Sequence, residues 1–194
     1  MNRSLILGSR GLARPDWLAG FYPPDLPEDW RLPYYANEFR ALLLPAADWV
    51  GLDAAAAADW AGAMPEGFRC MLELDASASW SSTALPTVLG DRLAGLLCRD
   101  VPPTGVPPYV PCLRLVERRS ALDLWRTPDG SLAVGIIAGQ SSRPTPLELR
   151  HAIETLVEAG GGMPSGLFVD GPPGMLHDLR TLAGLLGCEV WPGG

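Results

Sequence analysis

The sequence predicts an α/β fold: a barrel-like sheet, incomplete or distorted, with helices around it and an antiparallel hairpin in its middle. Three observations predict it. Apolar strand-like runs alternate with helical segments at both ends of the chain, the pattern that builds layers of sheet and helix. The middle third breaks that alternation with three strand-like runs in succession. The strands come to about eight, enough to close a barrel, and the helices to about five, too few for a full ring. An open mixed sheet is the alternative.

Ser4 to Leu7 is a short apolar strand that stops at Gly8-Ser9-Arg10-Gly11. Residues 12–28 are proline-rich and read as a loop. Asp29 to Phe39 reads as a helix, with Pro33 confined to its first turn. Arg40 to Leu44 is a strand stopped by Pro45. Asp53 is a good N-cap for the alanine run Ala54 to Ala63, which Trp60 anchors. Phe68 to Leu74 is a strand and Leu85 to Cys98 a helix. Cys112 to Val116, Ala121 to Arg126 and Leu132 to Ala138 are the three consecutive strands. Thr127-Pro128-Asp129-Gly130 joins the last two as a hairpin, which rules against a purely parallel sheet. Thr145-Pro146-Leu147-Glu148 is a capping box that opens a helix to about Ala159. Leu167 to Asp170 is a strand, Pro173 to Leu186 a helix, and Glu189 to Trp191 a last short strand.

Composition narrows the function. The chain has 194 residues and reads as one domain, 1–194, with a proline-rich linker at 101–111 inside it. The formal charge of −7 lacks the electrostatic footprint of a nucleic-acid binder. All 15 cationic side chains are arginine. Without lysine there is no Schiff-base chemistry, no phosphate-loop lysine and no lysine general base. Cys70, Cys98, Cys112 and Cys188 form no CxxC pair and sit in apolar runs, so they read as buried free thiols. No apolar run is long enough to span a membrane, and the first apolar stretch is too short for a signal peptide. These features make the cytoplasm the expected compartment.

The first third carries a resemblance. Gly8-Ser9-Arg10-Gly11, then Trp17-Leu18-Ala19-Gly20-Phe21-Tyr22-Pro23-Pro24, then Tyr34-Tyr35-Ala36-Asn37-Glu38-Phe39, and Trp60 with Met64-Pro65-Glu66-Gly67-Phe68, resemble domain-of-unknown-function family 72, the YecE-like proteins. The resemblance covers about residues 5–72 and marks the chain as a divergent, shortened member. It implies a TIM-barrel-like fold and no assigned activity. It also implies either a site rebuilt on other residues or a degenerate one. Leu43 stands where the family carries an inward glutamate and Pro45 where it carries an asparagine. The strand ending Glu73-Leu74-Asp75 lacks the family's lysine.

In a barrel, chemistry sits at the C-terminal ends of strands and in the loops behind them. That rule selects Ser9 and Arg10 after the first strand, and Glu73 and Asp75 at the end of the third. It also selects Gln140 and Arg143 after the hairpin, and Asp170 near the end. Glu73, Asp75 and Asp170 are the weak catalytic candidates: carboxylates two apart share a strand face and serve acid–base or metal work. An ordinary solvated strand end for Glu73 and Asp75, and a turn or cap role for Asp170, are the favoured readings. Arg10 and Arg143 are candidates for holding an anion, and Ser9 and Gln140 join them as ligand-binding candidates. Trp17 and Tyr22 belong to an aromatic concentration that is either a core layer or a stacking surface. No histidine stands at a strand end, and no GxSxG, HExxH, GxGxxG or phosphate-loop pattern occurs.

The first expectation is therefore a non-catalytic or degenerate-site barrel, at most weakly catalytic, that binds a protein partner or a small anionic ligand. The second is a metal-assisted or acid–base hydrolase acting on a phosphorylated or sugar substrate. No cofactor, metal site, nucleic acid or membrane is called for. The two expectations separate by geometry. The enzyme reading requires the carboxylates to lie within about 12 Å of one another.

Overall fold

A computed structural model of the chain describes residues 4–74, 80, 84–99, 104–119, 121–139 and 143–190. Its strands are β1 (Ser4–Arg10), β2 (Ala41–Leu44), β3 (Arg69–Leu74), β4 (Leu93–Cys98), β5 (Cys112–Arg119), β6 (Leu122–Arg126), β7 (Ala133–Ala138), β8 (Ser165–Asp170) and β9 (Glu189–Val190). Its helices are α1 (Pro15–Gly20), α2 (Arg31–Glu38), α3 (Ala46–Trp49), α4 (Ala54–Ala63), α5 (Leu85–Leu89), α6 (Pro146–Ala159) and α7 (Gly174–Leu185). No described helix is long and apolar enough to cross a membrane.

The sheet closes on itself. Strands β2 to β8 follow in chain order and β1 lies between β8 and β2, which makes an eight-stranded barrel. β1 pairs with β8 through Leu5 to Ser9 and with β2 through Gly8 to Arg10. The lower part of β1 that β2 leaves open is taken by β9, through Ser4↔Glu189 and Leu5↔Val190. All barrel pairings are parallel except those of β6, which runs antiparallel to both β5 and β7. The fold is thus the predicted TIM-barrel-like one, with the hairpin in the middle. The strand ring is complete. What is incomplete is the outer ring of helices: no helix occurs among the described residues between β4 and β7. Val106 and Val110 of the proline-rich segment cover part of that side instead, and Leu96 N–H donates to Pro111 O at 2.8 Å.

Strand parity divides the core in two. Leu43, Met71, Leu97, Leu113, Trp125 and Phe168 point inward and fill the lumen with apolar side chains. Their neighbours Leu42, Leu44, Cys70, Leu72, Leu167 and Val169 point outward, under the helices. Apolar side chains therefore fill the lumen, and the charged groups Arg10, Glu73 and Asp170 stand at its C-terminal rim.

Three elements differ from expectation. The helix predicted over Leu85–Cys98 ends at Leu89, where Gly90 has φ +53°. Leu93–Cys98 is instead the central strand β4. A short apolar run buried on both faces carries no period that separates strand from helix. Pro15–Gly20, expected as loop, is helical, with Pro15 in its first turn. α3 follows Pro45 directly and carried no separate signal. The capping box is present: Thr145 N–H donates to Glu148 Oε2 at 2.7 Å and Glu148 N–H to Thr145 Oγ1 at 3.3 Å. Asp53 accepts from Ala56 N–H as its N-cap.

Candidate functional site

The inward parity of β1, β3 and β8 carries through to their last turns. Ile6, Gly8 and Arg10 share a face, as do Met71 and Glu73, and Phe168 and Asp170. Arg10, Glu73 and Asp170 therefore meet above the apolar plug. Arg10 makes a two-pronged pair with Glu73, Nε to Oε1 at 2.5 Å and Nη2 to Oε2 at 2.7 Å. Its Nη1 donates to Asp170 Oδ2 at 3.1 Å. Asp170 Oδ1 accepts from Arg14 Nη1 at 2.6 Å, and Arg14 grips Asp16 through Nε and Nη2, both at 3.1 Å. The result is a chain of ion pairs, Glu73–Arg10–Asp170–Arg14–Asp16, across the mouth. Glu73 and Asp170 keep only 14% and 13% of their side-chain surface. The carboxylates, foremost Glu73, raise the pKa of the Arg10 guanidinium against the opposing effect of burial.

Asp48, in α3 behind β2, adjoins this chain. Its carboxylate lies over Gly11, where a Cβ would stand 3.3 Å from Oδ2. Burial pushes its pKa up, Arg10 pulls it down, and Glu73 adds to the rise. Beside Asp48 a cavity of about 680 Å³ opens between the loop after β1, α2 and α4. That is within the usual range for a small-molecule site.

The other expected site residues serve elsewhere. Ser9 is wholly buried: its N–H donates to Tyr35 Oη at 2.8 Å and its hydroxyl to Gly11 O at 2.8 Å. Tyr35 Oη in turn donates to Ala41 O at 2.6 Å, so one buried hydroxyl bridges β1 and β2. Trp17 is wholly buried and donates from Nε1 to Gly171 O at 2.9 Å, tying α1 to the loop after β8. Tyr22 packs edge-on against Phe21 and Tyr34, and its hydroxyl is buried without a partner. These aromatics form the core layer that the sequence offered as one of two readings. Arg143 bonds Asp178 on α7 at 2.5 Å, beside a second cavity of about 480 Å³ between α6 and α7. Asp75 and Gln140 lie outside the described residues. Among the described residues no three histidine, cysteine, aspartate or glutamate side chains gather closely enough to hold a metal ion. Arg14, Asp16 and Asp48 went unread in the sequence, although the strand-end rule that selected Arg10 reaches each of them.

β2 reaches the mouth with an apolar side chain. Leu43 is fully buried in the lumen, paired in register with Arg10 on one side and Met71 on the other. A leucine there extends the apolar plug up to the ion-pair chain.

Residues 6–88 match the model of a family described as protein of unknown function DUF72. A crystal structure of a DUF72 family protein (EF0366) from Enterococcus faecalis V583, solved at 2.52 Å, superposes with a TM-score of 0.56. The superposition covers 97% of this chain and 99% of that one at 10% sequence identity, a likeness of fold alone. No curated protein matches the sequence.

Proposed function

Residues 6–88 carry the DUF72 sequence pattern and the chain has the fold of a DUF72 protein, and on that premise we propose that it is a non-catalytic barrel whose role is to bind a protein partner or a small ligand. One observation carries the reading: all three donor nitrogens of Arg10 are already bonded to Glu73 and Asp170. A general base must present a free carboxylate to its substrate, and an arginine that clamps an anion must present free N–H groups. Here every nitrogen of Arg10 is engaged by one of the two carboxylates. An anion entering the mouth would have to displace a carboxylate from Arg10 or Arg14 and would meet the negative charge it displaced. The apolar plug, with Leu43 in register with Arg10, fills the lumen below the network.

The hydrolase reading has one observation in its favour. Glu73 and Asp170 touch a single guanidinium, so they lie well within the ~12 Å that a shared reaction demands. The test is turnover of p-nitrophenyl phosphate and p-nitrophenyl glycosides, with and without magnesium or manganese, by the wild type and by Glu73→Gln and Asp170→Asn. Rates at the uncatalysed background, with both variants melting lower than wild type, are expected. Saturable turnover that either variant abolishes while remaining folded would overturn the non-catalytic reading.

A further inference from the structure

The side of the barrel without helices carries two arginines that no carboxylate meets. Arg114 on β5 and Arg126 on β6 stand directly opposite each other in the antiparallel ladder. Their neighbours Leu113 and Trp125 fill the lumen, so strand parity turns both arginines to the outer face. Side chains so paired are about 5 Å apart at Cβ, and like charges there are destabilising. Carboxylates occur on the same two strands, but they are taken: Asp123 pairs with Arg118 at 3.4 Å and Glu117 with Arg119. Among the described residues no carboxylate pairs with Arg114 or Arg126. The chain has 22 acidic side chains for 15 arginines, so this is no shortage of partners.

A second observation is independent of the first. Arg126 Nε is buried and donates to nothing, and a buried charged N–H without an acceptor is among the costlier groups a fold leaves unsatisfied. The far end of the same guanidinium is held in place: Nη2 lies against the turn after β6, 2.9 Å from where a Cβ on Gly130 would stand. Arg114 beside it is exposed, so a solute has access to the pair. These features select a ligand by its chemistry. A cation is repelled. A carboxylate brings one negative charge to two guanidinium groups. A phosphate monoester brings close to two, with three acceptor oxygens that suit forked donors. A nucleic-acid strand needs a continuing stripe of cations, and Glu117 and Asp123 interrupt it on these same strands.

We propose that Arg114 and Arg126 form an anion site on the outer wall of the barrel, which binds the phosphate group of a small phosphate monoester. The site is separate from the Arg10 network at the mouth. The inference rests on the reading of the protein as a binding barrel and names the class of its small ligand. A bound phosphate supplies the acceptor that Arg126 Nε lacks and relieves the repulsion between the two arginines.

The probe is phenyl phosphate, with dimethyl phosphate and benzoate as monoanionic controls at matched ionic strength, and binding to the full chain is read by calorimetry. Phenyl phosphate is expected to bind saturably at pH 7, at least about threefold more tightly than either control. It is expected to weaken at pH 5, below the second phosphate pKa near ~6. Arg114→Gln and Arg126→Gln are each expected to weaken it at least about fivefold, with circular dichroism showing both variants folded. Arg126→Lys keeps the charge and loses the fork, so it is expected to fold as wild type and to bind more weakly. Arg150→Gln, which removes an exposed arginine of α6, is expected to leave the affinity unchanged. No saturable binding of phenyl phosphate, equal binding of benzoate, unchanged affinity in both folded glutamine variants, or an equal loss in Arg150→Gln would overturn the inference. Turnover of p-nitrophenyl phosphate that Glu73→Gln abolishes would remove the non-catalytic reading and leave binding at Arg114 and Arg126 in place. Failure of phosphate binding without turnover would remove this inference alone.

Discussion

Arg10 shows how a residue chosen by a general rule acquires its role from partners far away in sequence. Position at the end of β1 made it a candidate anion clamp. Glu73 and Asp170, brought to it by β3 and β8, make it the hub of a satisfied ion-pair chain. Asp48 is the opposite case, an exposed residue whose carboxylate loses more from partial desolvation than Arg10 returns. A carboxylate whose folded pKa is raised binds protons more tightly folded than unfolded, so its penalty is present at pH above the raised value. That penalty fades as pH falls through it toward the ordinary aspartate value near ~3.9. Asp48→Asn is therefore expected to raise the thermal midpoint at pH 7 and to lose that advantage in acid. Melting curves from pH 7 to pH 3 check it, and a variant less stable than wild type at pH 7 would contradict it.

At the scale of elements, local chemistry was legible wherever it was self-contained. The capping box at Thr145 and Glu148 needs only four consecutive residues, and it forms as read. Thr145→Ala is expected to cost about 1 kcal/mol in denaturant unfolding. Glu148 is held below its ordinary pKa by the Thr145 N–H, so its contribution is present above the ordinary glutamate value and lost as pH falls through the lowered one. β4 is the contrasting element. Leu93-Ala94-Gly95-Leu96-Leu97-Cys98 has neither period to betray it. Its state was decided by docking between β3 and β5, where both faces are covered and the backbone pairs on both edges. β6 was legible in part: the turn at 127–130 announced its antiparallel pairing with β7, while its pairing with β5 had no turn signal to match.

Closure of the whole barrel turns on the seam between β1 and β2. Gly8 lies there with its Cα against Ala41, and a Cβ at that position would stand 2.3 Å from Ala41 O and 3.0 Å from the Phe168 ring. A backbone oxygen cannot rotate away as a side chain does, so Gly8→Ala must pry the seam apart. It is expected to destabilise by about 3 kcal/mol. Gly62→Ala, in an exposed turn of α4 with nothing within 4 Å of the new Cβ, is expected to stabilise by up to about 1 kcal/mol. Paired urea titrations check both. A Gly8→Ala protein as stable as wild type would mean that the seam does not close as described.

By itself the sequence determined the α/β class, the hairpin, the helix caps and the strand ends that carry Arg10, Glu73 and Asp170. Each follows from residue type within a short window, through turn chemistry, capping and the alternation of side chains along a strand. Only the tertiary structure decided that those three side chains pair with one another, that Ser9 and Trp17 are wholly buried, and that acidic side chains line a cavity beside the mouth. Those outcomes depend on which strand ends meet around a closed ring and on how burial divides charge among them, and neither distance nor burial is a property of a local stretch of chain.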